Sequence, residues 1–366
     1  MEVHCDGCAG CCMDWTALIE RDGDGSENGT ELECSTDADS GSSEAGLSES
    51  NLRGRVGNSD ADATNRPPFD SDANFVPLTR EEVRTFLERG LAAAMTPRFW
   101  HARDESEAVE IDGHAVAAIA DRPVFFVGLR KPPKPVTPFD RTEPTWLPAC
   151  VFLDPTTLQC RIHDDDHFPT ECGAYPAHNL ELDQETECER VEAAFGGDRL
   201  VDDRVTDEEI ADEPLLGLQA IGEKLFCHPR PTELEGVIDR LEAGTLRPAD
   251  RAECLAVASA SSSGTLAVSE SHYERGKARA LEAMDGDTGN DSDDDHDDDT
   301  DDTDGDAAAG ESETRSWVGP AIREWTRRYR HHQQSTPGDD APPAELAVDI
   351  EEARGAPETP GWDALE

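Results

Sequence analysis

The chain has 366 residues, with 82 acidic side chains against 32 basic ones and a formal net charge of −50. Phosphate contacts need a basic face, so this charge argues against nucleic acid as a partner. No stretch approaches the roughly 20 consecutive apolar residues that span a bilayer, which argues against a membrane protein. Carboxylates in this number repel one another in dilute solution and suit concentrated salt, so the composition indicates a cytoplasmic protein from a halophile.

Composition divides the chain into six stretches, since acidic, apolar-poor segments cannot bury enough surface to fold. These are a cysteine cluster (1–19), a disordered acidic insert (20–74), the rest of a metal-chelating core with its C-terminal helices (75–283), a disordered Asp-rich linker (284–312), an amphipathic helix (313–332) and a tail (333–366).

Four of the eleven cysteines stand within the first twelve residues: Cys5, Cys8, Cys11 and Cys12. Cys-x2-Cys spacing lets a tight turn direct two sulfurs at one ion, and Gly7 and Gly10 stand where such turns often need positive φ. Thiolates this close repel one another unless a cation neutralises them. Adjacent cysteines are poorly placed to bridge each other, and a reducing cytosol disfavours disulfides, so the spacing predicts metal ligands.

Helices are predicted on both sides of the middle of the chain. Thr79-Arg-Glu-Glu82 has the pattern of a capping box, and apolar residues at helical spacing follow to Ala94. Thr96-Pro97 is typical of the start of a second short helix. Further helices are predicted at 206–211, 214–226, 231–243, 248–260 and 269–284. Cys227 and Cys254 fall in this part of the chain and are predicted to be structural cysteines. The amphipathic helix around Trp325 is expected to dock on the acidic core.

Short strands are predicted between these helices. Asp112-Gly113 is a strong hairpin signal, with strands near 108–111 and 114–118 and a third strand over 123–129. The basic, proline-rich stretch Arg130–Pro135 follows them. It is either a solvated polyproline connector or an anion-contacting edge beside a metal site.

A second group of cysteines follows: Cys150, Cys160, Cys172 and Cys188. Cys150 and Cys160 are expected on the paired strands of a hairpin, and Cys172 on a single helical turn. A lone cysteine is usually a small core hydrophobe, but these four, interpreted jointly with the N-terminal cluster, are predicted to complete its coordination shell. Eight thiols exceed one four-thiolate shell, so two sites and a bridged cluster both remain open.

Cys5–Cys12 together with Cys150–Pro176 resembles the CxxCxxCC cysteine-cluster family, the YkgJ-like proteins described as zinc- or iron-chelating. In that family a cysteine precedes a short apolar strand, another closes the hairpin and a third precedes a Tyr-Pro step, as Cys150, Cys160 and Cys172 do here. The family commonly carries Tyr, Arg-Pro and Cys-Arg in its last two elements, where this chain has His, Phe-Pro and Cys-Gly. Flagellin lysine-methylase proteins are similar in their cysteine pattern.

The sequence therefore predicts an α+β fold: a small cysteine-rich metal-binding core with short β-hairpins and surrounding helices, plus disordered acidic inserts. The expected function is metal binding, with zinc or iron as the ion and an iron–sulfur cluster as an open alternative. The metal ion is the partner, and no protein partner is indicated. The alternative function is an iron–sulfur-dependent enzyme such as a lysine methylase, although no G-x-G-x-x-G nucleotide loop supports it.

Overall fold

The computed structural model describes residues 2–23, 67–163, 165–204, 221–284, 316–334, 341–343 and 345–362. Helices and antiparallel sheets make up these ranges, so the predicted α+β class is confirmed. Most of the predicted acidic insert, the predicted helix at 206–211, most of the one at 214–226 and nearly all of the Asp-rich linker lie outside the described residues.

The strands in chain order are β1 (Glu2–Val3), β2 (Met95–Phe99), β3 (Ala108–Ile111), β4 (His114–Ile119), β5 (Arg122–Leu129), β6 (Pro133–Val136), β7 (Thr145–Pro148), β8 (Leu200–Asp202) and β9 (Phe226–Cys227). The helices are α1 (Thr16–Gly23), α2 (Arg80–Glu88), α3 (Thr170–Ala174), α4 (Ala177–Glu181), α5 (Glu187–Phe195), α6 (Val237–Glu242), α7 (Pro248–Ala260), α8 (Glu270–Met284), α9 (Val318–Gln334) and α10 (Glu345–Glu352).

The central sheet is antiparallel, with β2, β5, β4 and β3 side by side and β9 also paired with β5. The hairpin predicted around Asp112-Gly113 is present, since β3 and β4 pair from Ala108↔Ala117 to Ile111↔His114. The short helix predicted at Thr96-Pro97 is wrong, because these residues lie in β2 and pair with β5 throughout. β2 is an edge strand, where a proline without an N–H is tolerated.

Helix α2 begins as predicted, with Thr79 and Glu82 forming a capping box, but it ends at Glu88 and a 3-10 turn over Ala92–Ala94 replaces its last turn. Behind the sheet, α7 is buried along almost its whole length and packs against α8. The two helices approach closely at Gly276, where a Cβ atom would lie 2.4 Å from Ser259 Oγ. Cys254 in α7 and Cys227 in β9 are buried in this region, as expected of structural thiols.

The C-terminal helices close the other side of the core. α9 buries Trp325, whose ring lies 6.2 Å from that of Trp146 on β7, so the predicted docking of this helix on the core is found. The tail predicted over 333–366 is wrong for its described residues, because α10 lies there and its Glu351 is completely buried. Glu351 can be buried because it is paired with basic groups from distant parts of the chain, Lys134 and Arg161.

The predicted solvated connector over Arg130–Pro135 is also wrong. Its second half forms β6, which pairs with β7, and Lys134 is completely buried beside Glu351. The ammonium of Lys131 donates to the carbonyls of Ala73 and Asn74 at 2.7 and 2.8 Å. The prolines keep the segment extended, while partners from other segments satisfy its two lysines.

Candidate metal centre

The N-terminal cysteines lie on a loop of tight turns. The Cys8 amide donates to the Cys5 carbonyl at 3.0 Å, and the Cys12 amide donates to the Ala9 carbonyl at 2.9 Å. Gly7 has the predicted positive φ of 62°, but the second positive φ, 49°, falls on Ala9 rather than on Gly10. The Gly10 amide instead faces the Cys8 sulfur at 3.5 Å, a contact that stabilises a thiolate.

Gly10 is required for a packing reason. A Cβ atom at this position would lie 2.7 Å from Val191 Cγ2 on α5, well inside van der Waals contact. The absence of a side chain therefore lets the cysteine loop lie directly against α5, the helix that carries Cys188 in its first turn. Trp15 stabilises the same contact, because its indole Nε1 donates to the buried carboxylate of Glu187 in the first turn of α5.

The opposite side of the cluster is joined to the second cysteine group through the backbone. The Cys150 amide donates to the Cys12 carbonyl at 2.7 Å, and the Asp14 amide donates to the Pro148 carbonyl at 2.8 Å. An isolated bridge pairs Met13 with Ala149 between these two bonds. The Cys12 and Cys150 positions are therefore held together across a long sequence separation.

The hairpin predicted for Cys150 and Cys160 is reduced to turns and one isolated bridge between Leu153 and Cys160. The two sides of the loop exchange two backbone bonds, from the Asp154 amide to the Gln159 carbonyl at 2.9 Å and from the Arg161 amide to the Phe152 carbonyl at 2.8 Å, so the predicted pairing is present over this one bridge and does not extend to strands. The carbonyls of Val151 and Leu153 accept from Lys134 Nζ at 2.8 and 2.7 Å. Cys172 lies on the single-turn helix α3, as predicted.

The eight thiols perturb one another. Burial, together with the charges of Cys11, Cys5 and Cys8, raises the pKa of Cys188 to about 12. Burial likewise raises the pKa of Cys172, followed by the charges of Cys150, Cys160 and Cys11. These thiols therefore lie within electrostatic reach of one another, although they come from four segments of the chain.

The sulfurs do not form a closed metal shell in their present rotamers. Among the described residues, no group of three or more His, Cys, Asp or Glu side chains is arranged to hold a metal ion. The Sγ atoms of Cys11 and Cys12 lie 3.8 Å apart, and none of the ten cysteines that the structure describes forms a disulfide. The arrangement is a cluster of free thiols brought together by the backbone.

Basic residues that the sequence did not identify as a set surround the cluster. Burial raises the pKa of the Cys8 thiol, and the Arg199 side chain beside it offsets part of this rise. Burial lowers the pKa of the Lys131 ammonium, against the charges of Cys150 and Cys12, which raise it. Lys131 belongs to the stretch for which an anion-contacting edge was one of two predictions, whereas no sequence signal links Arg199 to the cysteines.

A cavity of about 580 Å³ opens beside the loop that carries Cys150 and Cys160. Its walls include Phe152 and Trp317, and Arg89, His167 and Arg354 supply polar groups. His167 is 8% exposed, and burial together with the Arg89 charge lowers its pKa. The described helices include none that is long and apolar enough to cross a membrane.

Residues 1–363 match a family described as a family of unknown function, DUF7531. No curated protein and no solved structure matches the chain.

Proposed function

The chain belongs to DUF7531, a family whose description assigns no function, and from its own thiols we propose that it is a metal-binding protein that holds zinc or iron through cysteine thiolates. The observation that carries this proposal is the backbone bond from Cys150 to Cys12, 2.7 Å long. It joins two cysteine groups far apart in sequence, although neither group has a conventional spacing for a closed shell on its own.

The metal explains why so many thiols occupy one place. Thiolates that raise one another's pKa cannot all ionise unless a cation neutralises them, and a bound metal ion deprotonates its thiol ligands. Structural disulfides are an inferior explanation, because all ten described cysteines are free. Ligation requires rotation about χ1 of several cysteines, and those on loops and in first helical turns have other staggered positions available.

The metal has a structural role in this proposal. The cysteines come from the N-terminal loop, the 150–163 loop, α3 and α5, so ligation cross-links four segments. Because a preformed site does not exist in the unfolded chain, the free energy of metal binding becomes part of the free energy of folding.

Metal analysis of anaerobically purified protein, with its visible absorption spectrum, tests the proposal. We expect zinc or iron bound at whole-number stoichiometry and a lower melting temperature after chelation. Cys8→Ser should reduce the metal content, whereas Cys254→Ala, at a buried thiol outside the cluster, should not. Protein that is folded and free of metal under these conditions would contradict the proposal.

One observation favours a second candidate, an iron–sulfur enzyme. The cavity beside Phe152 combines aromatic walls with two arginines, a histidine and the Asp165 carboxylate, and apolar walls with a few polar groups are typical of a pocket for a small ligand. Acid-labile sulfide in the protein, with calorimetric binding of S-adenosylmethionine that Arg354→Ala weakens, would favour a methyl-transferring enzyme. Zinc without sulfide would exclude it.

A further inference from the structure

We propose that the eight cysteines form two adjoining four-thiolate sites that bind two metal ions, with Cys5, Cys8, Cys11 and Cys188 in site A and Cys12, Cys150, Cys160 and Cys172 in site B. This inference rests on the proposed metal-binding function and goes further, because it assigns the number of ions and the ligands of each. Four thiolates complete the tetrahedral shell that zinc and iron both accept, so eight make two shells.

Site A is held by α5 and β8. The loop before Cys11 begins at β1, which pairs with β8, and the His4 amide donates to the Arg199 carbonyl at 2.7 Å. The other end of this loop lies against α5, where Val191 leaves no room for a side chain at position 10. Cys188 stands in the first turn of that same helix. The loop that carries Cys5, Cys8 and Cys11 therefore lies against the helix that supplies Cys188.

Site B is held by the 150–163 loop. Cys12 ends the 3-10 turn Gly10–Cys12, and its carbonyl accepts the Cys150 amide at 2.7 Å. The bridge between Leu153 and Cys160 folds the loop back on itself, which places Cys160 opposite a residue three positions after Cys150. The chain therefore passes from site A to site B between the consecutive residues Cys11 and Cys12.

Apart from those of Cys11, whose charge also acts on Cys150 and Cys160, the electrostatic contacts divide in the same way. The thiols that act on Cys188 are Cys11, Cys5 and Cys8, whereas those that act on Cys172 are Cys150, Cys160 and Cys11. Cys11 is the common member, as expected for the residue at the junction. Its Sγ lies 3.8 Å from that of Cys12, so the two sites share a border and one of these sulfurs can bridge both ions.

Each site also has its own cation. Arg199 lies beside Cys8 in site A, and Lys131 lies near Cys12 and Cys150 in site B and near Cys11 at the border. A four-thiolate shell around a divalent ion has a net charge of about −2, and a neighbouring basic side chain offsets part of it. Two separate cations fit two separate anionic centres.

Metal counting on single-site variants tests this division. Unmodified protein loaded with zinc should contain two ions per chain by native mass spectrometry. Cys188→Ser and Cys172→Ser should each retain one ion, the double variant should retain none, and Cys254→Ala should retain both. Should a variant fail to fold, as judged by circular dichroism, cadmium NMR of the unmodified protein gives an independent count. Two thiolate-coordinated resonances are expected there.

A single ion per chain that either substitution removes would overturn the two-site inference and leave the metal-binding function intact. One iron–sulfur cluster whose assembly needs Cys188 and Cys172 together would also overturn it. Folded protein that binds no metal at all would instead overturn the proposed function itself.

Discussion

The ammonium of Lys134 lies 2.6 Å from the carboxylate of Glu351, and both side chains are completely buried. Glu351 also accepts the Nε–H of Arg161 at 2.9 Å and the indole N–H of Trp325 at 3.1 Å. Lys134 and Arg161 belong to the strand and the loop next to the cysteines, whereas Glu351 belongs to the last helix. One carboxylate therefore attaches α10 to the segment that carries Cys150 and Cys160.

Removal of this carboxylate should strongly destabilise the protein. Glu351→Ala leaves the buried Lys134 without its carboxylate partner, while Arg161 keeps Asp154 at 3.0 Å, and breaking a buried pair typically costs about 3–5 kcal/mol. Urea unfolding at neutral pH measures this loss. The neighbouring Glu352→Ala is the matched control, because its side chain is partly exposed and lies 3.9 Å from Arg161. We expect that control to cost about 1 kcal/mol or less, and equal losses in the two variants would contradict the assignment.

The sequence predicted local features well and distant partnerships poorly. The capping box at Thr79 and the turn at Asp112-Gly113 depend on neighbouring residues, and both are present. Lys134 was expected in solvent, because no residue near it in the sequence indicates a partner. Its burial depends on Glu351, which is more than half the chain away. Pro97 was expected to start a helix, although its position at a sheet edge makes it a strand residue.

The cysteine positions show the same limit. Spacing identified Cys5, Cys8, Cys11 and Cys12 as a group, because a tight turn is a local property. Their approach to Cys150 depends on strand-like pairing of Met13 with Ala149, which no local pattern specifies. The role of Gly10 was misjudged for a similar reason: its requirement comes from Val191 on a distant helix and not from its own φ.

Acid should weaken the packing of α7 against α8 through Glu253. This carboxylate accepts hydrogen bonds from Tyr273 at 2.6 Å and Lys277 at 2.7 Å. Burial alone would raise its pKa, but bonds to His228, Lys277 and Tyr273 outweigh burial and lower the pKa of Glu253 from 4.5 to about 2. A group with a lowered folded-state pKa stabilises fully above its unfolded value, so this contribution should be lost as pH falls from 4.5 towards 2.

The contribution of Glu253 is on the order of 3 kcal/mol at neutral pH. Urea unfolding of unmodified protein and Glu253→Gln at several pH values isolates it, because other acidic groups titrate equally in both. The stability difference between the two proteins should shrink over this acidic range. A stability difference that stays constant with pH would show that folding does not lower the pKa of Glu253.

Salt should stabilise the folded chain. With 82 acidic against 32 basic side chains, carboxylates repel one another across the surface, and screening shortens the reach of that repulsion from about 10 Å at 0.1 M to about 3 Å at 1 M. The melting temperature should therefore rise with potassium chloride concentration. A flat or falling curve would mean that repulsion on the folded surface has no net effect on stability.

Gly10 and Val191 provide a direct test of how the cysteine loop is seated. Gly10→Ala places a methyl group 2.7 Å from Val191 Cγ2, and overpacking of this kind typically costs about 1–3 kcal/mol. Because the loop is displaced from α5, zinc should also be retained less well during dialysis against a chelator. Val191→Ala removes the obstructing methyl groups, at its own cost of a small cavity.

The double variant should recover part of both losses, which gives a favourable coupling energy of about 1 kcal/mol or more in a urea-unfolding cycle. Gly7→Ala is the control: its φ is 62° and no atom lies within 4 Å of the added Cβ, so it should cost about 1 kcal/mol through backbone strain and show no coupling to Val191. Additive effects of Gly10→Ala and Val191→Ala would mean that the loop does not lie against α5, and site A would then lose Cys188 as a ligand.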